Sequence, residues 1–279
     1  MKLSDIDFLI IGAGKSASTW LQNQLQSDPA VYMPDPELHF FSRNYERGVD
    51  WYLSQFDDAG QGRIVGEKSN SYLYTPNAAT RIKQHLPHVK LIAQLRNPVE
   101  RAYSNYCMRF RRGEVGADIG SYLEPSIAGE NPLLVSGHFA SDLEAFINLF
   151  GREKLLILFF EGVAGNPSKQ MAQLRAHLEL PPHPLASDGA DKVKDKTAPA
   201  VPAVWSKRLS WMKPMVRPLR NTVAFEAARG VIAREVKYPP LTDDLRNRLN
   251  DYYAPSIAAL EELSGQSLSH WYGPKDLAS

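Results

Sequence analysis

Cysteine is almost missing from this sequence. Its 279 residues include one, Cys107, which excludes an intramolecular disulfide framework and any metal site built from several thiolates. Cys107 lies in the helix-like run Ser104-Asn105-Tyr106-Cys107-Met108, where a lone thiol is expected as buried apolar filler. Long apolar runs are absent as well. No stretch approaches the ~20 residues of a membrane-spanning helix. The four-residue run Phe8–Ile11 is cut off by Gly12, too early for the core of a signal peptide. Net charge is also missing: 32 basic against 31 acidic residues leave +1, which gives no support for nucleic acid as a partner and makes any basic site local. No internal repeat or low-complexity tract is present. These absences predict a cytoplasmic protein without a membrane span.

What is there is a chain of α/β texture, 43% apolar, large enough for a substantial core. Phe8–Ile11 reads as a strand buried on both faces. A helix over Ser18–Gln26 follows, with a Ser/Thr cluster ahead of it to cap it. Further strands are expected at Ile64–Lys68, Lys90–Leu95 and Leu155–Phe160. Helices are expected at Thr75–His85 (Thr75 as N-cap, Pro76 first), Pro98–Arg112, His138–Phe150, Pro167–Leu180 and Thr242–Ser264. Pro29–Pro36 is broken by prolines and reads as mostly irregular. The prediction is a single three-layer α/β/α domain around a mostly parallel sheet of about five strands, with a phosphate-binding loop after the first. Residues 1–180 would form the core, 181–240 a proline-rich basic lid, and 241–279 a C-terminal helix and tail. Within Lys192–Arg220 eight Lys and Arg face one acid, Asp195; a lid and a solvated charge run are both compatible with that.

The chemistry begins at Gly12-Ala13-Gly14-Lys15-Ser16-Ala17-Ser18-Thr19-Trp20. Small residues let backbone approach a ligand, the helix start offers free N–H groups and a positive dipole end, and Lys15 adds a cation. A Walker A loop would end in Gly14-Lys15-Ser16, but its first glycine would fall on Leu9, so that pattern fails. Gly12, Gly14 and Ala17 meet the dinucleotide pattern, but no acid-ending strand follows about twenty residues on.

A third pattern is carried by several blocks in order. Gly12–Leu21 resembles the 5′-phosphosulfate loop and helix of the carbohydrate (heparan-sulfate-type) sulfotransferases and their bacterial relatives. Pro36-Glu37-Leu38-His39-Phe40-Phe41 is similar to their Glu-x-His-Phe-Phe segment, and Gly48–Phe56 to the helix after it. Gly66-Glu67-Lys68-Ser69-Asn70-Ser71-Tyr72 resembles their Glu-Lys-Ser/Thr-x-x-Tyr strand end. Leu95–Tyr106 resembles the 3′-phosphate motif Leu-Arg-Asp/Asn-Pro-x-x-Arg-x-x-Ser-x-Tyr.

The resemblance implies a donor, 3′-phosphoadenosine 5′-phosphosulfate (PAPS), with 3′-phosphoadenosine 5′-phosphate (PAP) as product, and a small-molecule or glycan acceptor; no metal is expected, since the sequence offers no ligand cluster and Lys and Arg handle the charge. Gly14, Lys15, Ser16, Ala17, Ser18, Thr19 and Trp20 would hold the phosphosulfate. Arg96, at a strand's carboxyl end, and Ser104, two helical turns on, would hold the 3′-phosphate, for which an arginine fork is suited. Arg101 reads instead as a surface pair with Glu100 or Glu114. Lys15 would stabilise the leaving group. Glu37 would be the general base, its pKa raised by an apolar setting of Pro36, Leu38, Phe40 and Phe41. His39 is a second base, an acceptor-binding group or a support. Lys68 touches the sulfuryl group or acceptor, or else pairs with Glu67. Lys194 or Lys196 are lid residues. Tyr72, Tyr74, Phe110 and the arginines 109, 111 and 112 are acceptor-side candidates. A kinase and a non-catalytic PAP-binding protein are the alternatives.

Overall fold

Phe8–Gly12 forms β1 and Ser18–Gln26 forms α1, joined by five residues. All five residues of β1 are buried, as expected for the centre of a parallel sheet covered on both faces. The computed structural model describes residues 1–129, 131–186 and 236–272. Lys192, Lys194, Lys196 and most of the basic segment therefore lie outside the described residues.

Five parallel strands make one sheet: β1, β2 (Val31–Tyr32), β3 (Ile64–Lys68), β4 (Lys90–Leu95) and β5 (Leu155–Phe159), in the order β2-β3-β1-β4-β5. The chain runs from β1 out to one edge and returns to the other side, so the carboxyl ends of β1 and β4 form the switch point where ligands of open α/β sheets bind. Phe8 pairs with Gly66 in register. A Cβ at Gly66 would sit 2.5 Å from the Phe8 ring, so glycine there is a packing requirement.

Helices α2 (Gly48–Ser54), α3 (Ala78–His85) and α4 (Pro98–Arg111) follow in order. The short α5 (Gly120–Leu123) and α6 (Pro132–Val135) precede α7 (Phe139–Phe150), α8 (Phe160–Gly165), α9 (Pro167–His177) and α10 (Asp243–Ser264). Phe8 and Ile10 of β1 share one buried cluster with Trp20, Leu21 and Leu25 of α1 and Met171 and Leu174 of α9. Strand alternation sends Leu9 to the opposite face.

By contact the described residues fall into two compact units. One holds Met1–Arg101, 138–186 and 254–272, and so the whole sheet. The other holds 102–129, 131–137 and 236–253, tied internally by Tyr253 donating to the Leu134 carbonyl at 2.7 Å and by the Arg248–Glu124 ion pair at 2.8 Å. Helices α4 and α10 run through both.

Several helices and strands end within a residue of expectation, and three differences are larger. Residues 31 and 32, inside the proline-broken stretch, pair with β3 as an edge strand. Helix α3 starts at Ala78: Asn77, in the left-handed region, is its N-cap, and the Thr75 hydroxyl donates to the Ser71 carbonyl instead of capping. Helix α9 ends at His177 rather than Leu180. Among the described residues no helix is long and apolar enough to cross a membrane.

Candidate active site

The loop after β1 is held in an unusual backbone path. Gly12 has φ +153, and a Cβ there would meet Leu73 Cβ at 2.9 Å. Lys15 and Ala17 take positive φ, 72 and 66, uncommon for residues other than glycine. Ala17 is the N-cap of α1 and supplies no side-chain cap, so the expected Ser/Thr cap does not form and the leading N–H groups stay uncapped by side chains. Ser16 is fully buried and its hydroxyl has no protein partner. Gly14 is open, its nearest neighbour being Asn70 Cβ at 3.9 Å.

Beside this loop stands Glu37. Asn70 holds its carboxylate twice, through the backbone N–H to Oε2 at 3.0 Å and through Nδ2 to Oε1 at 2.8 Å. Lys68 Nζ lies 3.3 Å from Oε1, and His39 Nε2 lies 3.5 Å from Oε2. Two of these partners also reach α1: Ser18 donates to Asn70 Oδ1 at 2.7 Å and Lys68 donates to Thr19 Oγ1 at 3.2 Å. The Glu37 side chain is 25% exposed, the Lys68 side chain 4%. The expected apolar setting is corrected here. Leu38, Phe40 and Phe41 are buried, with the Phe40 ring stacked on Tyr52 at 4.5 Å, and they anchor the segment while Glu37 turns to a polar cluster. Lys68 pairs with Glu37 and not with Glu67, because adjacent strand residues point to opposite faces.

His39 also has a positive φ, 51. Its N–H donates to Ser69 Oγ at 2.8 Å, its carbonyl accepts from the Asn44 N–H at 3.1 Å, and Nδ1 lies 2.7 Å from Ser71 Oγ. Burial lowers the imidazole pKa, with Arg43 and Lys68 adding to the effect and Glu37 opposing it. The contact with Glu37 is an ion pair only for a charged ring. Burial outweighs the nearby carboxylate, so the ring is neutral near pH 7.

Arg96 leaves the end of β4 and closes the other side of the loop. It donates to the Lys15 carbonyl at 3.3 Å, lies 3.7 Å from Glu100 and stacks over Phe160 at 4.5 Å. Burial lowers its pKa while Glu100 and Glu161 oppose that. Its Nε is buried without a hydrogen-bond partner. Asn97 caps α4 through Oδ1 to the Val99 N–H at 2.9 Å, and its Nδ2 donates to the Trp271 carbonyl at 3.0 Å.

Glu37, His39 and Lys68 are thus brought together beside Ser18 and Thr19, and Arg96 contacts the loop at Lys15. Trp20 points its ring into the core cluster. Ser104 is buried in α4, in the second unit, and Lys196 lies outside the described residues. Arg101 is no surface residue: it is 3% exposed, Glu100 pairs with Arg96, and Glu114 pairs with Arg112. Tyr72 is fully buried and donates to Glu67 at 2.5 Å, which removes it from the acceptor side; Tyr74 is 46% exposed. Cys107 is buried. Sequence reasoning missed Asn70, the residue that joins Glu37 to α1, although it lies inside the Glu-Lys-Ser strand-end block.

Fold and site together define an α/β domain whose polar, cation-bearing cluster sits at the switch point of a parallel sheet. A family model described as "Sulfotransferase domain" matches residues 5–255. Heparan sulfate glucosamine 3-O-sulfotransferase 6 of Homo sapiens is 43% identical over 186 residues, covering 62% of this chain and 52% of that protein. Bifunctional heparan sulfate N-deacetylase/N-sulfotransferase 3 of Homo sapiens is 28% identical over 286 residues, covering 95% and 31% respectively. The chain therefore spans about a third to a half of the length of these curated relatives. The crystal structure of a sulfotransferase from Alicyclobacillus acidocaldarius matches with a TM-score of 0.69 and 26% identity, covering 96% of this chain and 99% of that one. The chain belongs to the sulfotransferase family.

Proposed function

We propose that this enzyme moves the sulfuryl group of PAPS to a hydroxyl or amine of a carbohydrate, with Glu37 as the general base. One observation carries the reading: the Glu37 carboxylate is held by Asn70 and Lys68, and those same two residues bond to Ser18 and Thr19 in the first turn of α1. A base and an anion-binding helix start are thereby fixed to one another.

Three features fit the donor. The buried Ser16 hydroxyl lacks a protein partner, α1 has no side-chain cap, and the buried Arg96 Nε lacks a hydrogen-bond acceptor. An anion at the loop would supply partners that the fold leaves out. Ser16, Ser18, Thr19 and the loop N–H groups are assigned to the 5′ side, Arg96 to the 3′-phosphate.

PAPS supplies an electrophilic sulfur on a phosphate leaving group. Glu37 takes the acceptor's proton as the acceptor atom bonds to sulfur. Lys15 and Lys68 place positive charge where the leaving phosphate oxygen gains its negative charge, which lowers the barrier without proton bookkeeping. Lys68 also holds Glu37 in place, so the two roles are coupled. The relatives' names specify heparan sulfate, with sulfation at the 3-O position of glucosamine or at nitrogen, which supports a hexosamine-bearing acceptor.

The test is sulfur-35-labelled PAPS offered with glucosamine-containing oligosaccharides, simple phenols and aliphatic alcohols, with an ATP control. Label is expected on the oligosaccharides. Label on phenols alone would overturn the carbohydrate assignment, and ATP-dependent phosphorylation would overturn the donor.

A further inference from the structure

Next to Glu37 runs a chain of polar groups whose direction can be worked out. His39 Nδ1 lies 2.7 Å from Ser71 Oγ, Ser71 Oγ lies 2.7 Å from Ser42 Oγ, and Ser42 Oγ lies 3.1 Å from the His39 carbonyl oxygen. A carbonyl only accepts, so Ser42 donates to it. Each hydroxyl has one proton. With that of Ser42 committed, Ser71 donates to Ser42, and Nδ1 donates to Ser71. Running the chain the other way leaves the Ser42–carbonyl contact without a proton. All three bonds form together only when Nδ1 carries the ring proton.

The other ring nitrogen, Nε2, then presents a lone pair to Glu37 Oε2 at 3.5 Å. Both atoms are acceptors, and the gap exceeds a normal hydrogen bond. The charged groups acting on the ring are Arg43, Glu37 and Lys68. The His39 N–H donates to Ser69 Oγ and its carbonyl accepts from the Asn44 N–H, which fixes the backbone that carries the ring.

We propose that Ser42 and Ser71 are positioning residues that hold His39 as its Nδ1–H tautomer, so that Nε2 and Glu37 Oε2 share the proton taken from the acceptor. This rests on the reading of Glu37 as the base. The acceptor's O–H or N–H bond breaks and its electron pair forms the bond to sulfur. The S–O bond to phosphate breaks with its pair going to the phosphate oxygen, and the proton ends on Oε2, donated to Nε2. Two facing acceptors thereby become a donor and an acceptor. That gain appears only as the proton moves, which is the kind of interaction that raises kcat rather than substrate affinity. The opposite tautomer would point Nε2–H at ionised Glu37 and oppose proton uptake.

The experiment is nitrogen-15 NMR of the histidine-labelled enzyme, with His39 assigned among the seven histidines by the signals lost in His39→Gln. The wild-type ring is expected to show protonated Nδ1 and unprotonated Nε2. Ser71→Ala is expected to shift that pattern toward Nε2–H and to lower kcat about tenfold, or ~1.4 kcal/mol, with unchanged PAP affinity. Ser71→Thr should restore both, and the half-buried Ser42→Ala should act in the same direction if Ser71→Ala folds poorly. An Nε2–H wild-type ring, or a Ser71→Ala enzyme with unaltered spectrum and kcat, overturns the proposal. Full turnover in Glu37→Gln would overturn the base and with it the shared proton, while the spectrum still decides the tautomer, so the two failures are told apart.

Discussion

Two glutamates stand on either side of β3, and their surroundings are opposite. Glu37 is part-exposed and meets a lysine, a histidine and an asparagine. Glu67 is fully buried and meets hydroxyls alone: Tyr72 at 2.5 Å, Ser69 at 2.7 Å and Tyr52 at 3.3 Å. Burial pushes the Glu67 carboxyl up to about 7, against the pull of those hydrogen bonds, and it raises Tyr72 and Tyr52 as well. The difference teaches that carboxylate chemistry here is set by partners and not by residue type. A carboxylate with a cation and an amide is fixed in place as a charged group. One enclosed by tyrosines is a strut under the site, tied to it through Ser69, which accepts from the His39 N–H.

The contrast is broken most strongly at Glu37. Glu37→Gln is expected to cut turnover about 1,000-fold, within the range of a lost general base, with PAP binding by calorimetry intact. Loss of binding as well would make Glu37 a structural residue like Glu67. Lys15→Ala is expected to cost at least ~100-fold in kcat, the scale of a removed transition-state charge partner, and near-normal single-turnover rates would take Lys15 out of the chemistry.

Glu67→Gln should leave kcat within about threefold of wild type and act on stability. The folded carboxyl titrates at about 7 against an ordinary glutamate value of 4.5. Between those values the folded protein holds a proton that the unfolded chain has lost. Wild-type stability from this group is therefore full below about pH 4.5 and is lost as pH rises to about 7. Urea midpoints of wild type and Glu67→Gln should converge toward pH 4.5 and separate in favour of the variant toward pH 8. Parallel midpoints across that range would show that Glu67 titrates normally. A smaller effect is expected from Tyr72→Phe, about 1.5 kcal/mol of unfolding free energy by denaturant titration. Tyr52→Phe, with its longer bond, should cost less, and the reverse order would exchange the two tyrosines' roles.

Much of the fold was legible because it is local. The apolar run Phe8–Ile11 and the helix-forming Ser18–Gln26 specify strand and helix from their own residues, and Ile64–Lys68 and Lys90–Leu95 emerged with the bounds that periodicity gave them. The two-residue β2 was not legible, since its only support is pairing with β3. Arg101 was misplaced because helix periodicity near a surface does not reveal which side the rest of the fold buries. Glu37 was placed in the wrong medium: its sequence neighbours are apolar, while its spatial neighbours, Lys68 and Asn70, lie more than thirty residues away.

By itself, then, the sequence determined the strand–loop–helix opening, the parallel α/β class and the family, because these depend on short-range pattern and on ordered blocks of residues. Only the tertiary structure decided that Asn70 and Lys68 join Glu37 to the first turn of α1, that Glu67 faces away from the site, and that a three-step hydroxyl chain returns from His39 Nδ1 to its own carbonyl. Those outcomes depend on which face of β3 each side chain takes and on backbone bent into positive φ at His39, Lys15 and Ala17. Pairing between distant segments sets both, and no local pattern encodes it.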